Sequence, residues 1–338
     1  MKILNLKNSN GITVNITDAG AAVQSLIIPD RNGKFEDVVL GFDSPEKYLT
    51  GNDPYFGVIV GRYGNRIDDG KFTLNGKSYQ LTINDGTNHL HGGVHGFSKK
   101  VWEAEKIKNN LGEAVKLVYQ SKDTEEGYPG NLILSVVYTL TGSNELRIDY
   151  EATADKETIL NPTHHSYFNL TGNPQNMILD HIVKINADTY TPVNKKLIPT
   201  GELAYVENTP LDFRKPLEVG LRINDIDEQL KFAGGYDFNW VLNDYTGSVR
   251  KAASVFDRLT GRFMEVFTDQ PGIQFYSGNF LNGSVKGKDG IAYHRRCGLC
   301  FEAQHFPNSP NEKNFPTTVL KPGEVYKQTT VYKFSALS

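Results

Sequence analysis

The pattern of apolar and polar positions has a period of two over most of the chain. Ala114–Tyr119 alternates, Leu132–Leu140 does so more strongly, and Leu146–Ala152 alternates cleanly. The turn-forming segment Thr141-Gly142-Ser143-Asn144 separates the last two and predicts a hairpin. His181–Ala187 and the stretch from Gly11 to Thr17 repeat the pattern, and Phe72-Thr73-Leu74 runs into Asn75-Gly76, a dipeptide suited to a two-residue hairpin turn. Helical signals are sparse. Leu217–Leu230 has room for a short helix, weakened by Gly220. Many short strands punctuated by turn residues predict an all-β fold, a large antiparallel sandwich or barrel. A parallel α/β fold is disfavoured because its long crossover helices are missing. No proline-rich linker and no fixed-period repeat interrupts the chain, so residues 1–338 are expected to form a single β domain.

Composition narrows the class. Hydrophobic residues make up 38% and charged residues 22% of the 338, which is enough apolar material for a packed core. Lysine and arginine number 36 against 39 aspartate and glutamate, a net charge of −3 that gives no electrostatic footprint for nucleic acid or an anionic membrane. No apolar run is long enough to span a bilayer as a helix. The opening Met1–Lys7 is broken by polar residues and lacks a leader-like apolar region, so the expected location is the cytoplasm. Two cysteines exclude a disulfide framework. Cys297 and Cys300 fall in a predicted strand, where positions three apart face opposite sides, and read as reduced thiols rather than a metal half-site.

The candidate chemistry lies in clustered histidines and a few carboxylates. Three histidines stand in Asn88-His89-Leu90-His91-Gly92-Gly93-Val94-His95 and two in Thr163-His164-His165-Ser166-Tyr167. On a strand, His89 and His91 would share a face and suit a metal pair, but no carboxylate follows before Glu103. The plainer expectation for His89 and His95 is surface hydrogen bonding. Glu302, in Cys300-Phe301-Glu302-Ala303-Gln304, has an apolar setting that would raise its proton affinity if it were buried. Local sequence alone favours an outward-facing strand carboxylate there, and a turn aspartate at Asp237 in Gly235-Tyr236-Asp237-Phe238. Arg62, Asn65 and Arg66 offer donors that match sugar hydroxyls. Gly57–Gly61 lacks the spacing of a dinucleotide-binding fingerprint.

The order of these segments is that of a known family. Gly61-Arg62, Asn65-Arg66-Ile67, Leu90-His91-Gly92-Gly93, Asn161-Pro162-Thr163, His165-Ser166-Tyr167-Phe168-Asn169-Leu170, Asp237, Gln270-Pro271-Gly272-Ile273-Gln274-Phe275-Tyr276 and Phe301-Glu302 with Gln304 resemble, in series, the aldose 1-epimerases, also called galactose mutarotases. The likeness extends from about Gly11 to Phe334. It implies a large β-sandwich with an open sugar-binding cleft and no cofactor or metal. It also implies interconversion of the α and β anomers of free hexoses such as galactose and glucose, and so a place in hexose metabolism. By motif match, Glu302 would be the general base, His165 the general acid and His91 an assistant at the ring oxygen, while Asn65, Arg66, Tyr167, Asp237 and Gln274 would bind hydroxyls. The expected state is a monomer, with a dimer as the alternative. His164, Phe238 and Tyr63-Gly64 depart from the common pattern beside presumed cleft residues and leave fine substrate preference open. Three other readings stand beside this one: a glycoside hydrolase using Glu302 and Asp237, a hexose-6-phosphate epimerase, and a carbohydrate-binding sandwich without catalysis.

Overall fold

The computed structural model describes residues 1–51 and 54–337. A nine-stranded antiparallel sheet is its largest element. Its order is Glu103–Ile107, Gly112–Ser121, Leu132–Thr141, Glu145–Ala154, Tyr326–Ala336, Arg262–Thr268, Arg250–Phe256, Ile182–Ile185 and Leu217–Glu218. A five-stranded antiparallel sheet runs Ala204–Tyr205, Thr189–Thr191, Asp237–Val241, Gly272–Tyr276 and Cys300–Gln304. The N-terminal strands Ile3–Lys7, Thr13–Thr17, Ala22–Pro29 and Phe35–Asp37 form a third sheet. The result is an all-β sandwich, as the alternation predicts.

Each predicted hairpin is present. Leu140 pairs with Leu146 across the 141–144 turn. Lys71–Leu74 pairs with Lys77–Gln80 through Asn75 and Gly76, which both take positive φ (52° and 75°), as a type I′ turn requires. The helix expected within Leu217–Leu230 lies mostly elsewhere. Leu217–Glu218 is a strand, and the α-helix is Glu228–Ala233. Asp227 sets its start by accepting from the backbone N–H groups of Gln229 and Leu230, and Gly234 closes it in the left-handed conformation.

The core is common to the sheets. Ile148, Leu134, Met264 and Tyr332 of the large sheet belong to the same buried cluster as Trp240, Ile273, Phe275 and Phe301 of the five-stranded one. Phe275 and Phe301 stack at 5.2 Å, and burying each such ring contributes roughly 1.5–3 kcal/mol. The Tyr332 hydroxyl donates to the Phe301 carbonyl at 2.9 Å, and Gln328 Nε2 donates to the Ala303 carbonyl at 3.1 Å. These bonds fix the Cys300–Gln304 strand against the large sheet. Among the described residues, no helix is long and apolar enough to cross a membrane.

Candidate active site

Alternation along the five-stranded sheet separates core from chemistry. In register, Asn239 pairs with Gln274 and Gln274 with Glu302, while Asp237 pairs with Tyr276 and Tyr276 with Cys300. These residues share one face of the sheet. Phe238, Trp240, Ile273, Phe275 and Phe301 occupy the other, which is the core face. Every residue of Gly272–Tyr276 and Cys300–Gln304 is buried, so the polar face is covered too. This overturns the outward-facing reading of Glu302, which is 2% exposed. It also overturns the turn reading of Asp237, the first residue of a strand.

Two other segments close over that face. Thr163–His164 pairs with Ile59–Val60, and the pairing continues as the His165 N–H donates to the Val58 carbonyl at 3.0 Å. Alternation then turns His164 and His165 opposite ways. His164 bonds Ser166 Oγ at 2.7 Å and the Tyr138 hydroxyl at 3.3 Å on the core side. His165 meets Glu302, with Nε2 3.6 Å from Oε1.

The second segment is Leu90-His91-Gly92. Asn65 and His91 brace each other: the His91 N–H donates to the Asn65 carbonyl, and the Asn65 N–H donates to His91 Nδ1, both at 3.1 Å. Both residues hold positive φ (61° and 51°), a strain of order 1 kcal/mol each that the brace sustains. Gly92 is obligatory, because a Cβ there would lie 1.7 Å from the Gly61 carbonyl oxygen.

A cavity of about 320 Å³ lies between these elements. Asn65, Arg66, His91, His165, Tyr167, Asp237 and Glu302 line it, so seven of the eight expected residues meet in one place. Gln274 is set behind Asp237, donating to its Oδ1 at 2.7 Å. Arg66 donates through Nε to Asp85 at 2.7 Å, with Nη1 4.0 Å from Asp237. The Tyr167 hydroxyl donates to the Pro54 carbonyl, leaving the ring on the wall.

Several expectations are corrected. Arg62 does not reach the cavity; it is buried and bonds Ser121 and the carbonyls of Pro129 and Lys122. His89 is fully buried rather than on the surface, with Nδ1 2.7 Å from the Thr82 carbonyl and Nε2 2.6 Å from the Tyr128 hydroxyl. The His89–His91 metal pair, disfavoured from the sequence, is not formed: the strand ends at Leu90, and His91 takes the left-handed conformation. The cysteines are both buried and free, but only Cys300 is in a strand.

Burial sets the proton affinities. It pushes Glu302 well above the usual carboxylate range, reinforced by the negative Asp237 and opposed by Arg66. It pushes His165 down to about 4 and His91 well below its ordinary value. Asp237 is raised by burial, against Arg66 and the Gln274 hydrogen bond. Burial thus drives both His165 and Glu302 toward their neutral forms.

His91, His165 and Glu302 bring ligand-type atoms within 4.8 Å of one another. The tautomer of His91 opposes a metal there. Its Nδ1 accepts the Asn65 N–H, so the neutral ring carries its proton on Nε2. A metal at Nε2 would force a proton onto Nδ1, against that donor.

Comparison with known proteins decides the family. A family model described as aldose 1-epimerase matches residues 2–333. The chain belongs to the aldose 1-epimerase family. It is 46% identical over 329 residues to the galactose mutarotases of Bos taurus and Homo sapiens, covering 97% of this chain and 92% of each relative. It is 37% identical over 338 residues to the aldose 1-epimerase of Escherichia coli K12, covering 99% and 95%. Among solved structures, an aldose epimerase homologue from C. elegans superposes with a TM-score of 0.91 at 30% identity, covering 100% of this chain and 99% of that one. A galactose 1-epimerase from Lactobacillus acidophilus gives 0.87 at 32%, covering 99% and 95%.

The departures from the usual aldose 1-epimerase pattern fall away from the cavity. Phe238 faces the core beside Tyr190 and Trp240. His164 is on the core side, and the Tyr63 hydroxyl donates to the Phe306 carbonyl. Sequence reasoning missed the rest of the wall. Tyr55 lies 4.7 Å from the His91 ring, and Tyr276, Phe280, Leu281, Asn282, Ser284, Val285 and Tyr293 also line the cavity. In the sequence, an aromatic at Phe280 beside the turn-forming Asn282-Gly283-Ser284 was the available signal.

Proposed function

We propose that this chain is an aldose 1-epimerase that interconverts the α and β anomers of free hexoses, with galactose and glucose as substrates. The observation that carries the reading is the His165–Glu302 pair, its side chains almost fully buried yet lining a cavity of monosaccharide scale. Ring opening of a hemiacetal requires the C1 hydroxyl to lose a proton while the ring oxygen gains one. In the reactive form, with a proton on His165 Nε2 and none on Glu302, a carboxylate base stands beside an imidazolium acid. Glu302 takes the hydroxyl proton and His165 supplies the ring oxygen. The aldehyde rotates about C1–C2, and both transfers reverse on closure to the other anomer. Proton count is conserved, so the reading includes no cofactor and no metal.

His91, fixed as an Nε2–H donor, supports the ring oxygen without changing charge. Asn65, Arg66, Asp237 and the Tyr167 ring hold the sugar, with Gln274 orienting Asp237. The reading extends to a single domain spanning residues 1–338, supported by a core cluster running from Leu6 to Phe334. It extends to a monomer in the cytoplasm, where two free buried thiols are at home.

The alternatives fit less well. A phosphosugar enzyme needs clustered cations, but Arg66 is the one cationic side chain among the described cavity residues and already faces Asp85 and Asp237. A glycoside hydrolase has no use for His165, and a binding module has none for a buried acid beside a base. Polarimetry on freshly dissolved α-D-galactose and α-D-glucose tests the proposal: the protein should speed decay to an unchanged final rotation. Unaccelerated decay with sugar binding intact would refute it in favour of a binding module.

A further inference from the structure

The strand that carries Glu302 touches both nitrogens of His165. Cys300 and Glu302 are two positions apart, so their side chains leave the same face of the sheet. Glu302 Oε1 is 3.6 Å from Nε2, and Cys300 Sγ is 3.7 Å from Nδ1. One imidazole is thus spanned by two side chains of a single strand, itself fixed to the large sheet by Tyr332 and Gln328.

We propose that Cys300 is a positioning residue for His165: its sulfur accepts the Nδ1–H, fixes the ring, and leaves Nε2 as the nitrogen that exchanges protons with the sugar. This rests on the mutarotase reading. The argument is one of proton inventory. The nitrogen facing Glu302 must be able to gain and lose a proton in each turnover, so the other must keep one. A proton held on Nδ1 calls for an acceptor, and a thiol sulfur is a weak one. A weak acceptor stabilises imidazolium little, which keeps His165 a strong acid. A carboxylate in that place would hold the ring charged and blunt it. Cys300 is fully buried, and burial beside Glu302 and Asp237 keeps it a thiol. The groups facing His165 are Glu302 and Cys300 from the strand, His91 and Tyr55 across the cavity, and His164 and Tyr167 from its own segment. The described contacts give no other side chain at Nδ1.

The test combines ¹⁵N spectroscopy with kinetics. In the wild-type protein near neutral pH, the His165 ring should show Nδ1 protonated; a neutral ring with its proton on Nε2 and none on Nδ1 would overturn the proposal. Cys300→Ala should lower kcat by about 10-fold or more with little change in KM, within the ~10²–10⁴-fold that a positioned acid can supply. Cys300→Ser should recover most of that loss. Because a hydroxyl accepts more strongly than sulfur, it should also move the His165-governed limb of the kcat profile to higher pH. A purely structural cysteine would change thermal stability and leave the profile where it was, and a Cys300→Ala protein with wild-type kcat and profile would refute the positioning role. Should the alanine variant fail to fold, the wild-type spectrum and the serine variant still decide. Mutarotation by the wild type is measured alongside, so failure of the underlying activity is seen separately.

Discussion

His165 Nε2 stands 3.6 Å from Glu302 Oε1, with the two side chains 5% and 2% exposed. At this separation a sugar in the cavity can reach both groups. Removing the carboxylate should therefore remove chemistry rather than affinity. Glu302→Gln is expected to reduce anomer interconversion by ~10²-fold or more while calorimetry still detects galactose binding. Full turnover in that variant would end its assignment as base.

His165 and His91 should separate kinetically. His165→Asn is expected to lose ~10²–10⁴-fold in kcat, as for an acid that transfers a proton. His91→Asn keeps a neutral donor and should lose less. Equal losses in the two variants would show that both rings transfer protons, contrary to the tautomer imposed by the Asn65 N–H.

Gln274 predicts an indirect effect. Its Nε2 holds Asp237 Oδ1 at 2.7 Å from behind the cavity wall. Gln274→Leu should raise KM in the same sense as Asp237→Ala but less, with kcat changed less than KM. Michaelis curves for both variants check this, and an unchanged KM in Asp237→Ala would remove that residue from the sugar contacts.

Acid should destabilise the fold through its buried histidines. Burial lowers His89, His181 and His305 to about 4 and His164 to about 3, against about 6.5 in an unfolded chain. These folded-state values are depressed, so the unfolded state binds the protons first as pH falls. Stability is complete above about pH 6.5 and declines toward pH 4 by about 1.4 kcal/mol per pH unit for each such histidine. Denaturant titrations across this window should show the slope, and His305→Asn should make it shallower by one proton's worth.

Chelation separates the acid–base reading from a metal one. Prolonged dialysis against EDTA should leave mutarotation unchanged. Loss of activity with EDTA, restored by a divalent ion, would mean that His91, His165 and Glu302 act as ligands.

Much of this architecture was legible in the sequence because strand alternation and turn chemistry are local properties. The 141–144 hairpin and the Asn75-Gly76 turn needed only neighbours along the chain. Residue type alone could not reveal which side of a strand is closed off. Glu302 looks like an outward carboxylate until the His165 and His91 segments are seen to cover that face. Arg62 and Arg66 are four residues apart in similar company, yet one bonds backbone carbonyls in the interior and the other faces a cavity. His89 and His91 diverge because one backbone angle changes sign between them, a change set by the fit of Gly92 against Gly61.

The cavity wall draws on several segments of the chain. Glu302 and Asp237 project from the two strands that flank Gly272–Tyr276, and His165 from the continuation of Thr163–His164, whereas Phe280, Leu281, Asn282, Ser284 and Val285 come from a connecting segment outside the named strands. Exchanging side chains in that segment alters the contour offered to a sugar without shifting the register that sets acid against base. That segment can therefore change the shape of the cavity while the acid–base pair stays where the sheet holds it.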